Sequence, residues 1–257
     1  MFALPCAPLW CGLLPRTTPR RKRPTLTLTP AVVLAKIKPG QGWTQTLRMS
    51  NTTGGAFNFE IEVQDVVVKD GHRTYVPAGE TDFSIASTAV ATPRTLTILP
   101  QQQGTISVTL TVPERTPLRA VVVYFKGRLD TPAEDGSVGL GASLGALITF
   151  GLSEDYTFEA TGFSVVPQSQ STNPVVSHEL LNSGTEVVVP KGTAAIIDGA
   201  GKRVAKATFE SHRILPGERV IFSATCPLQL KPGHYRAISS FEFATRIVTA
   251  SGDFSVP

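Results

Sequence analysis

Residues 57–64 read Phe57-Asn58-Phe59-Glu60-Ile61-Glu62-Val63-Gln64, and residues 105–112 read Thr105-Ile106-Ser107-Val108-Thr109-Leu110-Thr111-Val112. In both stretches apolar and polar side chains alternate one by one, the repeat of a strand with one dry and one wet face. The same period recurs through 31–37, 43–49, 94–99, 118–126, 138–150, 157–165, 175–181, 185–189, 193–197, 203–209, 218–225, 235–243 and 245–255. Nowhere do apolar residues return convincingly at the three-and-four spacing of a helix. Turns such as Lys38-Pro39-Gly40, Lys69-Asp70-Gly71 and Asp198-Gly199 break the strands. Many short strands between Pro/Gly turns predict an all-β chain of antiparallel sandwiches.

Of the 257 residues, 41% are hydrophobic and 17% charged, enough apolar material for a real core. The chain has no apolar run long enough for an internal membrane span. The formal charge of +4 is concentrated in Arg16, Arg20, Arg21, Lys22 and Arg23, which leaves a nearly neutral body. Such a body has no general polyanion footprint, so no nucleic-acid partner is expected. Residues 1–15 are apolar and precede the positive charge, the reverse of a secretory signal. Residues 1–24 are therefore set aside as a leader or a disordered basic segment. Cys226 stands alone in the body and reads as a small core residue, without a disulfide framework.

A weak internal repeat divides the rest. Met49-Ser50-Asn51 ends one strand and Leu180-Leu181-Asn182 another; each Asn is followed, after unequal gaps, by Ile98-Leu99-Pro100 and Ile214-Leu215-Pro216 respectively. The unequal gaps place an insertion around 68–90 of the first half. Two tandem sandwiches follow, over 25–154 and 155–257.

The second half, with Asn182-Ser183-Gly184, Val189-Pro190-Lys191-Gly192, Asp198-Gly199, Ile214-Leu215-Pro216-Gly217, Gly233-His234-Tyr235-Arg236-Ala237 and Phe254-Ser255-Val256-Pro257, resembles bacterial extracytoplasmic immunoglobulin-like domains. The first half, with Asn51, Gln64-Asp65, Lys69-Asp70-Gly71 and Ile98-Leu99-Pro100, is similar to the N-terminal domain of the same proteins. The resemblance is to WxL-interacting surface proteins and, more distantly, to PapD-like pilus-assembly chaperones. It implies immunoglobulin-like sandwiches, an extracytoplasmic location in the periplasm or at the cell surface, and a non-enzymatic role.

Enzymatic chemistry finds little footing. Gly141-Ala142-Ser143-Leu144-Gly145 fits a nucleophile elbow, but that motif needs a strand, a turn and a helix, whereas Ser143 lies inside continuous alternation. His72, His178, His212 and His234 are scattered, without metal-ligand spacing. No metal or cofactor is expected. Asn51-Thr52-Thr53 is a glycosylation sequon that a turn also explains.

The most informative stretch is 138–150. Val138, Leu140, Ala142, Leu144, Ala146, Ile148 and Phe150 line one face, opposite a face nearly bare because of Gly139, Gly141 and Gly145. A strand of this kind either packs on its own second sheet or adds to a partner's sheet. By the chaperone resemblance, Val138, Leu140, Ala142 and Leu144 would be donated to a partner, and Lys36 and Lys38 would supply part of a carboxylate anchor. Residues 146–152 carry no Lys or Arg, a departure from the chaperone pattern. The leading expectation is a binding or adhesion protein presenting strand edges or loops to a protein or a cell-wall glycan, the loop 69–82 among them. The alternative is a periplasmic chaperone acting by strand donation.

Overall fold

The computed structural model describes residues 24–129, 141–167 and 173–257. Among the described residues, ten strands build the first sandwich: β1 (Leu26–Thr29), β2 (Val32–Lys36), β3 (Gly42–Asn51), β4 (Phe57–Lys69), β5 (His72–Pro77), β6 (Val90–Thr92), β7 (Thr95–Ile98), β8 (Gln103–Thr111), β9 (Ala120–Leu129) and β10 (Gly141–Gly151). One sheet runs β1-β3-β8-β6 and the other β2-β10-β9-β4-β5, with β7 also paired to β4. Seven strands build the second: β11 (Glu159–Val166), β12 (Val175–Leu181), β13 (Lys191–Asp198), β14 (Arg203–Thr208), β15 (Arg219–Thr225), β16 (Gly233–Phe243) and β17 (Arg246–Val256). Their sheets run β11-β12-β15 and β14-β13-β16-β17. The fold is all-β, two immunoglobulin-like sandwiches in tandem, with no α-helix among the described residues.

The alternating residues do what their period demands. Phe57, Phe59 and Ile61 of β4, Ile106, Val108 and Leu110 of β8, and Ala146, Ile148 and Phe150 of β10 are buried in one core. Val176, Leu180, Ile196, Phe222 and Phe241 occupy the second. Each fully buried Phe or Ile contributes about 1.5–3 kcal/mol of transfer free energy.

One pairing departs from the antiparallel expectation: β2 lies parallel to β10, Val32 opposite Leu147 and Lys36 opposite Gly151. β1 pairs with β3 in the other sheet. Pro30, which has no N–H to give to a ladder, stands between them where the chain crosses from one sheet to the other. Two further expectations are corrected. Residues 185–189 form no strand; Val188 makes a single bridge to Ile214, and Pro190 cannot extend it as a donor. Residues 69–82 are not a free loop, because β5 pairs with β4 from Lys69–His72 to Gln64–Pro77.

The internal repeat is a matched pair of buried amides. Asn51 Nδ2 donates to the carbonyls of Gly55 (2.7 Å) and Ile98 (3.0 Å), and Asn182 Nδ2 to those of Glu186 (2.8 Å) and Ile214 (2.9 Å). The backbone N–H of Asn51 reaches Gln102 O, and that of Asn182 reaches Glu218 O, both at 3.0 Å. The left-handed residue of each Ile-Leu-Pro turn is Gln101 in the first copy and Gly217 in the second.

The second copy of that turn is set into the seam between the sandwiches. Val187 and Leu215 pack with Val66, Ala120 and Val122 from the outer face of the β9–β4 region. Arg73 of β5 grips Glu218 with Nε–Oε1 at 2.7 Å and Nη2–Oε2 at 3.0 Å. Arg119 Nε donates to Glu186 Oε1 (3.2 Å), and Glu186 also accepts Leu152 N–H (3.0 Å) and Ser153 Oγ–H (3.1 Å). Glu186 is wholly buried, so either side of that pair left alone would be an uncompensated charge.

Candidate functional site

β10 is the strand on which the sequence-derived candidates fall. Ala142 and Leu144 are half-buried and pack against the first core. Val138 and Leu140 lie outside the described residues. The ladder to β9 is unbroken, from Gly141 opposite Arg128 to Thr149 opposite Ala120. On its other side, among the described residues, β10 is paired by β2 alone, from Leu147 onward.

The direction of its backbone groups follows from three bonds. Leu147 N–H donates to Ala31 O (2.9 Å) and Gly151 O accepts Ile37 N–H (3.3 Å), both toward β2. Phe150 N–H donates to Arg119 O (2.8 Å), on the β9 side. Along an antiparallel ladder the N–H and C=O of one residue point the same way and those of the next point oppositely. Gly141, Ser143 and Gly145 therefore turn their N–H and C=O to a side where no strand runs among the described residues.

Nothing on the strand blunts this edge. Residues 141–149 contain no charge and no proline, the usual devices that keep an edge from pairing. The outer face there is shallow. A Cβ at Gly141 would meet only Gly127 O at 3.7 Å, while at Gly145 it would lie 3.1 Å from Val122 Cγ2 and 3.4 Å from Tyr124 Cε1. Gly145 thus makes room for the Tyr124 ring, whose hydroxyl burial pushes above its ordinary pKa. Beside this trough, a cavity of about 770 Å³ is lined by Asn58, Glu60, Thr95, Lys126, Arg128 and Ser143 among others. Lys126 is paired with Glu62, and that hydrogen bond holds the Glu62 carboxyl below its ordinary range. Arg128 is exposed and has no ion-pair partner among the described residues.

Lys36 and Lys38 are exposed and stand elsewhere. Lys36 ends β2 opposite Gly151, and both lysines line a cavity of about 350 Å³ with Gln41, Leu152, Ser153 and Tyr156. Nine residues of strand separate Ala142 from Gly151, about 30 Å. The structure thus places the lysines at the seam end of β10 and Ala142 and Leu144 at its open end.

Ser143 sits mid-strand opposite Lys126, and β10 continues to Gly151 with no helix behind the serine. A nucleophile elbow has no place there. His178, one of the scattered histidines, is fully buried in the other sandwich, with Nδ1 at 2.7 Å from Ser239 Oγ and its ring against Phe163 and Phe241. Burial lowers its pKa below the ordinary histidine value. Sequence reasoning missed Tyr124 and Arg128 as neighbours of the open edge. Their only local signal was position on the wet face of the strand preceding it.

No family profile matches the chain, and no curated protein does. Among solved structures, it is similar to the class 5 fimbriae chaperone CfaA (12% identity, TM-score 0.44, covering 91% of this chain and 100% of that one). It is also similar to a chain of the CsuC–CsuE chaperone–tip adhesion subunit pre-assembly complex of Acinetobacter baumannii (12%, 0.43, 88% and 97%). A third is the E. coli chaperone DraB (17%, 0.42, 88% and 98%). At these values the likeness carries no argument about what this chain binds. No helix among the described residues is long and apolar enough to cross a membrane.

Proposed function

We propose that the chain is a non-enzymatic, extracytoplasmic binding protein of the strand-donating, chaperone type, with a protein segment as its partner. The observation that carries this is the edge of β10 from Gly141 to Ala146, unpaired among the described residues, in a strand otherwise paired on both sides. An open edge recognises extended backbone through main-chain hydrogen bonds, with alternate side chains giving selectivity. It therefore favours a protein partner over a cell-wall glycan, and the chaperone resemblance over the surface-protein one. In this reading Val138, Leu140, Ala142 and Leu144 form the donated face, and Lys36 and Lys38 hold a carboxylate of the partner where β10 meets the seam. The sandwiches over 25–154 and 155–257 act as one body across that seam.

The test is Ser143→Pro. Its missing N–H faces the open side, so the β9 ladder stays intact. Capture of partners from an envelope fraction should fall at least tenfold while circular dichroism and melting stay close to wild type. Unchanged capture would overturn the reading.

A further inference from the structure

Gly141 and Gly145 stand on the wet face of the open edge for different reasons. Neither has a left-handed φ, so the backbone at both accepts an ordinary strand residue. At Gly145 the space is already taken: an added Cβ would lie 3.1 Å from Val122 Cγ2 and 3.4 Å from Tyr124 Cε1. At Gly141 it would meet only Gly127 O, at 3.7 Å, among the described residues. Neither conformation nor crowding there calls for glycine, and what its missing side chain leaves is a gap in front of Arg128, which stands directly opposite on β9. On the far side of Arg128 is Asn58, which carries no charge and whose Oδ1 already accepts Thr97 Oγ–H at 2.6 Å. In the next row Lys126 has Glu62. Arg128 is left as the cation without an ion-pair partner among the described residues.

We propose that the segment received by β10 carries an acidic residue opposite Gly141 and, four residues away on the same face, an aromatic or bulky aliphatic residue opposite Gly145. The proposal rests on the edge reading above and names the chemistry of the partner. A strand added to β10 lies two strand spacings from β9, about 9.5 Å between Cα atoms. A glutamate on that strand and Arg128, extended toward each other, span this distance because Gly141 puts no side chain between them. Opposite Gly145 the partner's side chain meets the Tyr124 ring leaning over the glycine, itself braced edge-on by Tyr75 with ring centroids 5.7 Å apart. Opposite Ser143, between the two, a small polar residue fits beside the neutralised Lys126. The spacing of four holds whether the partner runs parallel or antiparallel to β10; direction only reverses the order of the two residues. Selection on this wet face is separate from the apolar side chains that Ala142 and Leu144 present on the other.

Peptide titration of the full chain tests it, followed by the amide chemical shifts of residues 141–146, with peptide up to about 10 mM. The probes are synthetic peptides of about ten residues with valine on one face and threonine on the other. One pair carries glutamate and tyrosine on the threonine face four apart, in either order; a second pair has lysine for the glutamate; a control keeps threonine throughout. In one of the two orders the glutamate peptide should bind about fivefold tighter than its lysine counterpart, and Arg128→Glu should reverse that preference. Gly141→Thr, which closes the gap without strain, should erase the preference while leaving the threonine control within about twofold of wild type. Glutamate and lysine peptides bound equally, or a preference that survives Arg128→Glu, overturns the proposal. If the peptides in that event still bind wild type and fail to bind Ser143→Pro, the partner chemistry alone has failed; if no peptide binds at all, the edge reading falls with it.

Discussion

β10 is one strand with two fates. From Leu147 to Thr149 it is paired on both sides and β2 follows it to Gly151; its Ile148 and Phe150 are wholly buried, and Leu147 packs at the seam against the second sandwich. From Gly141 to Ala146 it is paired, among the described residues, on one side only, its Ala142 and Leu144 are half-buried, and its outer face is Gly, Ser and Gly. The sequence period is the same throughout. What differs is where the neighbour ends: β2 reaches only to Val32, because the chain has crossed from the other sheet at Pro30. Stability is concentrated in one half of the strand, and the capacity to pair with something else in the other.

The comparison can be broken from its strong end first. Phe150→Ala removes a fully buried ring that meets Trp43 edge-on, and should cost about 3–5 kcal/mol in denaturant unfolding. Glu186→Ala strands Arg119 and the Leu152 amide where β10 leaves the first sandwich, and should cost about 3 kcal/mol by the same measurement. If either cost is negligible, the closed half is not the anchor described.

Acid supplies a milder probe of the cover over that half. The neutral form of His178 is favoured in the folded state, so its contribution is present above the unfolded-state pKa and is lost as pH falls through that value toward the lowered folded one. The other groups around its ring are Phe163, Phe241 and Ser239, none of which carries charge. Melting temperature should fall below about pH 6.5, and His178→Gln should flatten that fall; an equal slope in the variant would contradict the assignment. At the open half, Leu144→Ala should cost only about 1–2 kcal/mol, because the side chain is already partly in solvent. Ser143→Pro should cost the least of all, under about 1 kcal/mol, while having the largest effect on binding.

The sequence made the strands legible wherever one face is dry. Phe57, Phe59 and Ile61, or Ile106, Val108 and Leu110, are placed by period alone. β5 was missed because His72–Pro77 lies along the sheet margin and is largely exposed, so its pattern lacks a dry stripe. Residues 185–189 misled for the opposite reason: Val187 and Val188 are both buried, one in the seam and one in the second core, without belonging to a strand. The Asn and Ile-Leu-Pro repeat was visible, yet its physical content was not, since the hydrogen bond from the Asn51 amide to the Ile98 carbonyl spans 47 residues. Nor does any local pattern announce that Leu215 is buried at the seam while its counterpart Leu99 is 47% exposed. The alternation that singled out β10 as a candidate was in the sequence. Its open side was not, because whether an edge is free depends on where a distant strand stops.

That open side can be read directly by amide hydrogen exchange along β10 in dilute solution. The amides of Ala142, Leu144 and Ala146 face β9 and should exchange slowly, whereas those of Gly141, Ser143 and Gly145 should exchange near the rate of unprotected backbone, with slow exchange at every position from Leu147 to Gly151. Uniform protection from Gly141 to Gly151 in the monomer would mean the edge is already covered, and the account of this chain as a strand-presenting protein would be contradicted.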